Sequence, residues 1–246
     1  MPNPFDVGSA RLLEHLGFSA LATTSSGFAA SLGRNDQHTS RSELVEHVRA
    51  MCAAVSLPIT VDAEACFPYE SGGIGETVAL FAEAGAAGVS IEDFDPAMNA
   101  ILTIDDATDR VAQAVEAARP HQLVVTARAE SLLHGSPDVD DVITRLRAYR
   151  DAGADVLYAP GVKTADEIRR VVGVGAPVNV LAMPGVPSTV ELESIGVRRI
   201  STGGALAWKA YGALVSAATE LRDHGTYGYF EGALDRPTRS TAFSDR

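Results

Sequence analysis

Apolar and polar positions follow two rhythms along this chain, and their order predicts an architecture. Four times, an amphipathic stretch with helical spacing runs into a glycine and then a short apolar run: LLEHLGFSALATT, LFAEAGAAGVSIED, AYRDAGADVLYAPG and ELESIGVRRISTGG. Gly17, Gly85, Gly153 and Gly196 sit where a helix ends with its next residue in the left-handed region, which glycine adopts without a Cβ penalty. Further apolar runs occur in LPITVDAE, QLVVTARAE and PVNVLAMPG. All are short, continuous and rich in Val, Ile, Leu and Ala, as in parallel strands covered on both faces. Between them the helical period predicts helices over 41–55, 74–84, 105–118, 139–151, 164–173, 188–195 and 204–222.

Strand and helix alternate through the chain with no break in composition, which predicts one α/β domain over residues 1–225. The count and length favour a (β/α)8 TIM-type barrel over an open doubly wound sheet. Seven strands are legible, one short of a full barrel, so the opening strand is expected to be missing, supplied differently or lost to a late start. Residues 226–246, ending RPTRSTAFSDR, are polar and aperiodic. They are expected to form an extension that is partly disordered or lies at an oligomer interface.

Charge then narrows the function. A formal net charge of −12 argues against nucleic acid or an anionic membrane as partner, and an anionic substrate would need local positive charge. The two cysteines, Cys52 and Cys66, are too few for a disulfide framework and lack metal-ligand spacing, which suggests a reducing, cytoplasmic setting. No signal peptide is visible at MPNPFDVGSARLLEHLGF, and no apolar run is long enough to span a bilayer.

The chemistry concentrates where apolar runs stop. PITVDAEACF ends its run in Asp62 and Glu64, two residues apart and so expected on one side of a strand. AGVSIEDFD ends in Glu92 and Asp93, LVVTARAE in Arg128 and Glu130, and ALATTSSG in a small hydroxyl-rich turn from Thr23 to Gly27. In such a barrel the active site lies at the C-terminal strand ends. Acids converging there repel one another unless a cation joins them, and a hard divalent ion with oxygen ligands, Mg²⁺ with Mn²⁺ as substitute, meets that need. Arg128 adds a fixed guanidinium fork suited to a carboxylate. Salt bridges and helix caps are the plainer reading of any single acid; the set Asp62, Glu64, Glu92 and Arg128 on three successive strand ends favours function.

With these residues the chain resembles the isocitrate lyase/phosphoenolpyruvate mutase superfamily over essentially its whole length. NPFDVGSARLLEHLGFSALATTSSGFAASLGRND is similar to that family's opening, VDAEACF to its metal strand, SIED to its second acidic strand and TARAES to its arginine strand. DAGADVLYAPG, PVNVLAMPG and GVRRISTGGALAW follow in the family's order. The resemblance implies direct metal binding by Asp62, with Glu64, Glu92 and Asp36 holding its water shell. It implies that Thr24, Ser25 and Ser26 hold the substrate's carboxylate or oxyanion and that Arg128 binds substrate. It also implies a homo-oligomer, dimer or tetramer, in which C-terminal helices exchange between neighbours.

The departures are as informative. The loop FDPAMNAILTIDDA has no Cys, Lys or His, so it lacks the isocitrate lyase loop motif and the mutase lysine, although Asn99 is available for the mutase asparagine. Pro160 stands where the mutase has a histidine, and Cys66 where the family usually has glycine, as a nucleophile or as a small semi-buried thiol. The expected activity is Mg²⁺-dependent lysis or hydrolysis of a C–C bond in a carboxylate-bearing 2-oxo or 2-hydroxy acid, through an enolate. Arg128, Glu64 and Glu130 are the candidate catalytic groups, with metal-bound water, Glu64 or Glu130 as acid or base. Phosphonopyruvate-type P–C chemistry and a noncatalytic acid-binding role are the alternatives. STGGALAW as a phosphate loop, His134 as acid or base and Tyr158 as a site residue are weaker signals, each with a packing or solvation counterpart.

Overall fold

The computed structural model describes residues 1–244. Helix α1 (Val7–His15) leads into β1 (Leu21–Ala22), followed by α2 (Ser25–Ser31), α3 (Arg41–Ala54), β2 (Ile59–Asp62) and α4 (Gly73–Glu83). Strand β3 (Gly88–Glu92) runs into a small antiparallel hairpin, β4 (Phe94–Asp95) and β5 (Ala100–Ile101), before α5 (Ile104–Ala118). Then come β6 (Val124–Arg128), α6 (Val139–Asp151), β7 (Val156–Tyr158), α7 (Ala165–Val172), β8 (Val178–Leu181), α8 (Thr189–Ile195), β9 (Arg199–Ser201), α9 (Ala205–His224) and α10 (Arg236–Ala242).

Seven strands pair in parallel in the order β1-β2-β3-β6-β7-β8-β9. They form a nearly closed barrel, a (β/α)8 type lacking one strand. The gap is bridged by residues 1–3: the Ala22 amide beside β1 donates to the Pro2 carbonyl (3.1 Å), and the Met1 amine donates to the Ile200 carbonyl of β9 (2.7 Å). Asn3 fastens both sides, its Nδ2 donating to the Thr23 carbonyl (2.7 Å) and its Oδ1 accepting from the Thr202 amide (2.8 Å). Among the described residues no strand precedes β1, so the barrel lacks its opening strand and the extended segment 1–3 lies across the gap.

Most of the core lies between the strands' outer faces and the helices. Val61, Val89, Ile91, Val125, Ala127, Leu157 and Val180 are essentially inaccessible, and Phe81, Leu146, Ile168 and Leu192 cover them from the helices. Alternate residues on the same strands therefore face the barrel axis, which is how Asp62, Glu92 and Arg128 come to point inward. The repeated helix-Gly-strand pattern has its expected cause: Gly17, Gly85, Gly153 and Gly196 all have φ between 83° and 104°.

Two features lay outside the sequence expectation. Helix α2 forms directly after β1 because Thr24 caps it, its Oγ1 accepting from the Gly27 amide (3.3 Å). The tail, expected to be partly disordered or at an oligomer interface, carries α10, capped by Asp235 and packed against α1, with Arg11 reaching the Ser244 carbonyl (3.5 Å). The last two residues of that tail lie outside the described residues. No described helix is long and apolar enough to cross a membrane.

Candidate active site

Strand β2 stays apolar until it reaches the mouth, and Asp62 is tied there at once. Its amide donates to Thr23 Oγ1 (2.8 Å), and its Oδ2 accepts from the Ser25 amide (3.0 Å). The hydroxyl-rich turn and the leading acid are therefore one unit. Glu64 arrives differently from the expected two-residue alternation. The strand stops at Asp62, and Glu64, Cys66 and Phe67 take φ of 52°, 61° and 49°, with the Cys66 amide donating to the Ala63 carbonyl (2.8 Å). A tight left-handed turn, not the pleat, brings Glu64 to the mouth. That conformation costs a residue bearing Cβ about 1–2 kcal/mol, so the position that the resemblance gives to glycine has glycine-like backbone while holding cysteine. The Cys66 thiol is fully buried, and burial pushes its pKa up to about 12, which favours the core-thiol reading over the nucleophile.

Arg128 sits among the acids with its donors engaged. Nη1 reaches Asp62 Oδ1 at 2.5 Å, Nε reaches Glu130 Oε1 at 2.7 Å, and Nη2 lies 3.3 Å from Glu92 Oε2. The Tyr158 ring lies under the guanidinium, 5.2 Å from centroid to carbon, which gives Tyr158 a place in the site. Gln37, which sequence reasoning missed, links two acids: its amide donates to Glu64 Oε1 (3.2 Å) and its Nε2 to Glu92 Oε1 (3.0 Å). Asp36 lines the same cavity at its rim and shares a hydrogen bond with Glu64.

One guanidinium does not neutralise this set. Burial, with repulsion from Asp62 and Asp36, pushes the Glu64 carboxyl up to about 8. Burial also raises Glu92 and Glu130 above the usual carboxylate range although Arg128 opposes it, and Asp36 is raised by burial and by Asp62. Among the described residues no three acids, histidines or cysteines stand close enough to ligate one ion directly. The set nonetheless fits a hydrated hard cation that takes one carboxylate directly and the others through water. The Gln37 Oε1 atom, buried beside Glu64 and Glu92 without a hydrogen-bond partner, is an acceptor that such a water shell would satisfy.

Asp36, Asp62, Arg128 and the turn open on a cavity of about 200 Å³ that also exposes Asn3, Tyr158, Asn179, Arg199 and Ser201. Asn179 and Arg199 carried a usable signal, since each is a polar residue at an inward position of a barrel strand. A second buried network holds Glu130 from behind. The Glu130 amide donates to Asp93 Oδ1 (2.8 Å), and Asp93 Oδ2 accepts from the Tyr149 hydroxyl (2.7 Å) and from Arg145 (3.2 Å). The β4–β5 loop is held by Asp95, which accepts from Tyr69 (2.5 Å) and Arg110 (2.7 Å). Asn99 turns that hairpin at φ 50°, an exposed structural position. His134 is exposed and stacks on Phe94 with ring centroids 3.9 Å apart, outside the cluster of acids. At STGGALAW a Cβ on Gly204 would meet Ser26 Oγ at 2.5 Å, so close packing accounts for that glycine.

The family model described as phosphoenolpyruvate phosphomutase matches residues 1–222. A solved structure from Burkholderia cenocepacia J2315, provisionally described as a lyase/mutase, is 48% identical with TM-score 0.94, covering 100% of this chain and 91% of that one. An uncharacterised protein of Mycobacterium tuberculosis (strain ATCC 25618 / H37Rv) is 31% identical over 82% of this chain and 76% of its own length. The structure of 2,3-dimethylmalate lyase is 27% identical with TM-score 0.83, covering 96% of this chain and 86% of that one. Matched by this family model over residues 1–222, the chain belongs to the phosphoenolpyruvate phosphomutase family, within the isocitrate lyase/phosphoenolpyruvate mutase superfamily.

Proposed function

We propose that this protein is a Mg²⁺-dependent lyase or hydrolase that cleaves a C–C bond next to the acid end of a 2-oxo or 2-hydroxy acid. The observation that carries the reading is the over-acidic mouth: Asp36, Asp62, Glu64, Glu92 and Glu130 gathered about Arg128, with the Glu64 carboxyl pushed up to about 8. Such a set is stable in its ionised form only with a further cation, and similarity to 2,3-dimethylmalate lyase supports the C–C bond chemistry.

Asp62 would hold the cation, with Glu64, Glu92 and Asp36 fixing its water shell. The bound ion would supply Lewis-acid stabilisation of the negative charge that builds on an enolate. The chain's own groups do the rest. The turn Thr24–Ser26, fixed by Thr24 capping α2 and by Asp62 on the Ser25 amide, presents hydroxyls to the substrate carboxylate. Arg128 lies beside it as a preorganised positive group. Glu64 and Glu130 are the carboxyls placed to hold or move a proton, and burial gives both the raised affinity for protons that this needs. The buried Cys66 and a β4–β5 loop without Cys, Lys or His leave the acid cluster as the centre of proton transfer.

A homo-oligomer built through α9 belongs to the same reading. Of the 20 residues of α9 only Ala207 is buried, while Trp208, Leu214, Val215 and Leu221 are each about half exposed or more. A groove of about 1030 Å³, lined in part by Leu13, Leu16, Phe18 and Val197, leaves further apolar surface uncovered. Replacing Asp62 by alanine tests the function. Chelator-sensitive turnover of a 2-oxo or 2-hydroxy acid should fall at least about 100-fold, with the fold unchanged by circular dichroism. Turnover insensitive to both chelator and Asp62→Ala would refute the reading.

A further inference from the structure

The cavity carries two arginines in opposite circumstances. Arg128 is held by three carboxylates, as described above. Arg199, on β9, pairs across the sheet with Asn179 of β8, and its Nε donates to Asn179 Oδ1 (3.0 Å). Asn179 is fully buried and is held in turn by its Nδ2, which donates to Ser201 Oγ (2.9 Å). Beyond that one bond the guanidinium has nothing: among the described residues, no carboxylate lies within ion-pair distance of Arg199, and its terminal nitrogens have no acceptor. Desolvation and the nearby Arg128 together pull its pKa down to about 10, so it remains charged at neutral pH.

A partly buried arginine whose terminal donors have no acceptor in the chain is a ready partner for an anion. This one lines the cavity that also exposes the Thr24–Ser26 turn and Asp62, and it borders the larger apolar groove as well. The chain spends its acids on Arg128 and the rim and leaves Arg199 uncovered, in a protein whose net charge is −12. The missing partner is therefore expected to arrive with the substrate.

We propose that Arg199, oriented by Asn179, is a specificity-determining residue that receives a second anionic group of the substrate, so that the site selects acids charged at both ends over monoacids. This rests on the reading of the cavity as a metal-dependent acid site and adds the other end of the substrate to it. The Arg199 fork matches a carboxylate or a phosphonate alike.

Calorimetric titration of the full chain with Mg²⁺ and three stable probes tests it. Oxalate reports the metal and turn end alone, while malate and 2-hydroxybutanoate, each in both hands, differ only in the terminal carboxylate. Wild type should bind malate about 10- to 100-fold more tightly than 2-hydroxybutanoate, the range expected for one charge-assisted pair. Arg199→Met should bring the ratio close to one and leave oxalate affinity unchanged. Arg199→Lys, which keeps charge but not the fork, should retain part of the preference, and it decides the matter if the methionine variant does not fold. Mg²⁺-dependent oxalate binding with an unaltered malate preference in the folded variants would overturn the proposal. So would a wild type that binds oxalate but shows no malate preference. Failure of wild type to bind oxalate would instead overturn the metal-site reading and the proposal with it.

Discussion

Replacing Glu64 with glutamine isolates the electrostatic strain on which the functional reading depends. Glu64 is 6% exposed, and its carboxyl is pushed from 4.5 to about 8 in the folded protein, first by burial and then by Asp62 and Asp36. Between those two values the folded protein keeps a proton that the unfolded chain has released. Stability therefore falls as pH rises through this window, and the loss is complete above about 8. At about 1.4 kcal/mol per pH unit, the interval from 4.5 to about 8 sets an upper limit of about 5 kcal/mol. Relaxation of the rim and water reaching Asp36 reduce this, and about 2–3 kcal/mol is expected. Glutamine mimics the protonated acid and keeps a carbonyl for the Gln37 amide now 3.2 Å from Glu64 Oε1. In chelator, Glu64→Gln should therefore unfold at a higher urea concentration than wild type at about pH 8.5 and match it near pH 5. Adding Mg²⁺ should stabilise wild type more at the higher pH, and this pH-dependent increment should vanish in the variant. Equal urea midpoints for wild type and variant at the higher pH in chelator would refute the reasoning, since they would show that Glu64 ionises without penalty.

Three further outcomes follow from other parts of the molecule. His47 stacks on Phe28 at 3.9 Å and its Nε2 is buried without a partner, so burial lowers its pKa from 6.5 to about 4. Below the unfolded value the unfolded chain binds a proton that the folded protein refuses, so stability falls from about pH 6.5 down to about 4. His47→Gln should flatten that part of a urea-midpoint profile by up to about 3 kcal/mol, and an unchanged slope would count against it. Tyr149→Phe removes the 2.7 Å bond to Asp93 in a fully buried position and should cost about 1–3 kcal/mol in urea unfolding; a neutral result would mean that Arg145 alone satisfies Asp93. Leu214→Glu with Val215→Glu should lower the sedimentation mass toward that of one chain, and an unchanged mass would place the oligomer contact elsewhere or show that there is none.

Much of the scaffold was legible because its determinants are local. The glycines after α1, α4 and α6 and within the α8–β9 link mark helix ends through backbone conformation alone, and the apolar runs mark strands buried on both faces. Asp62, Glu92 and Arg128 were legible as inward ends of successive strands. What escaped depends on contacts between distant parts of the chain. Residues 1–3 bridge the barrel by pairing with residues near 22 and 200, which no local pattern encodes. Gln37 reaches Glu64 and Glu92 from a loop with no periodicity. Glu64 misled in an instructive way: the spacing D-A-E suggested pleat alternation, but the strand ended two residues before Glu64 and a left-handed turn did the work. Asn179 and Arg199 could have been flagged from the parity of their strands, since polar side chains at inward barrel positions need a partner inside.

The most direct test of the functional account is a mass-spectrometric product screen, run with Mg²⁺ and again with chelator. Its panel would hold oxaloacetate, substituted 2-hydroxy di- and triacids, and phosphonopyruvate. The account predicts C–C bond cleavage in at least one carbon acid, giving a pyruvate-like acid or oxalate, abolished by chelator and by Asp62→Ala. Phosphate release from phosphonopyruvate without any C–C cleavage would contradict it in favour of P–C chemistry. Tight Mg²⁺-dependent oxalate binding with no turnover of any acid would contradict it in favour of a protein that only binds such acids.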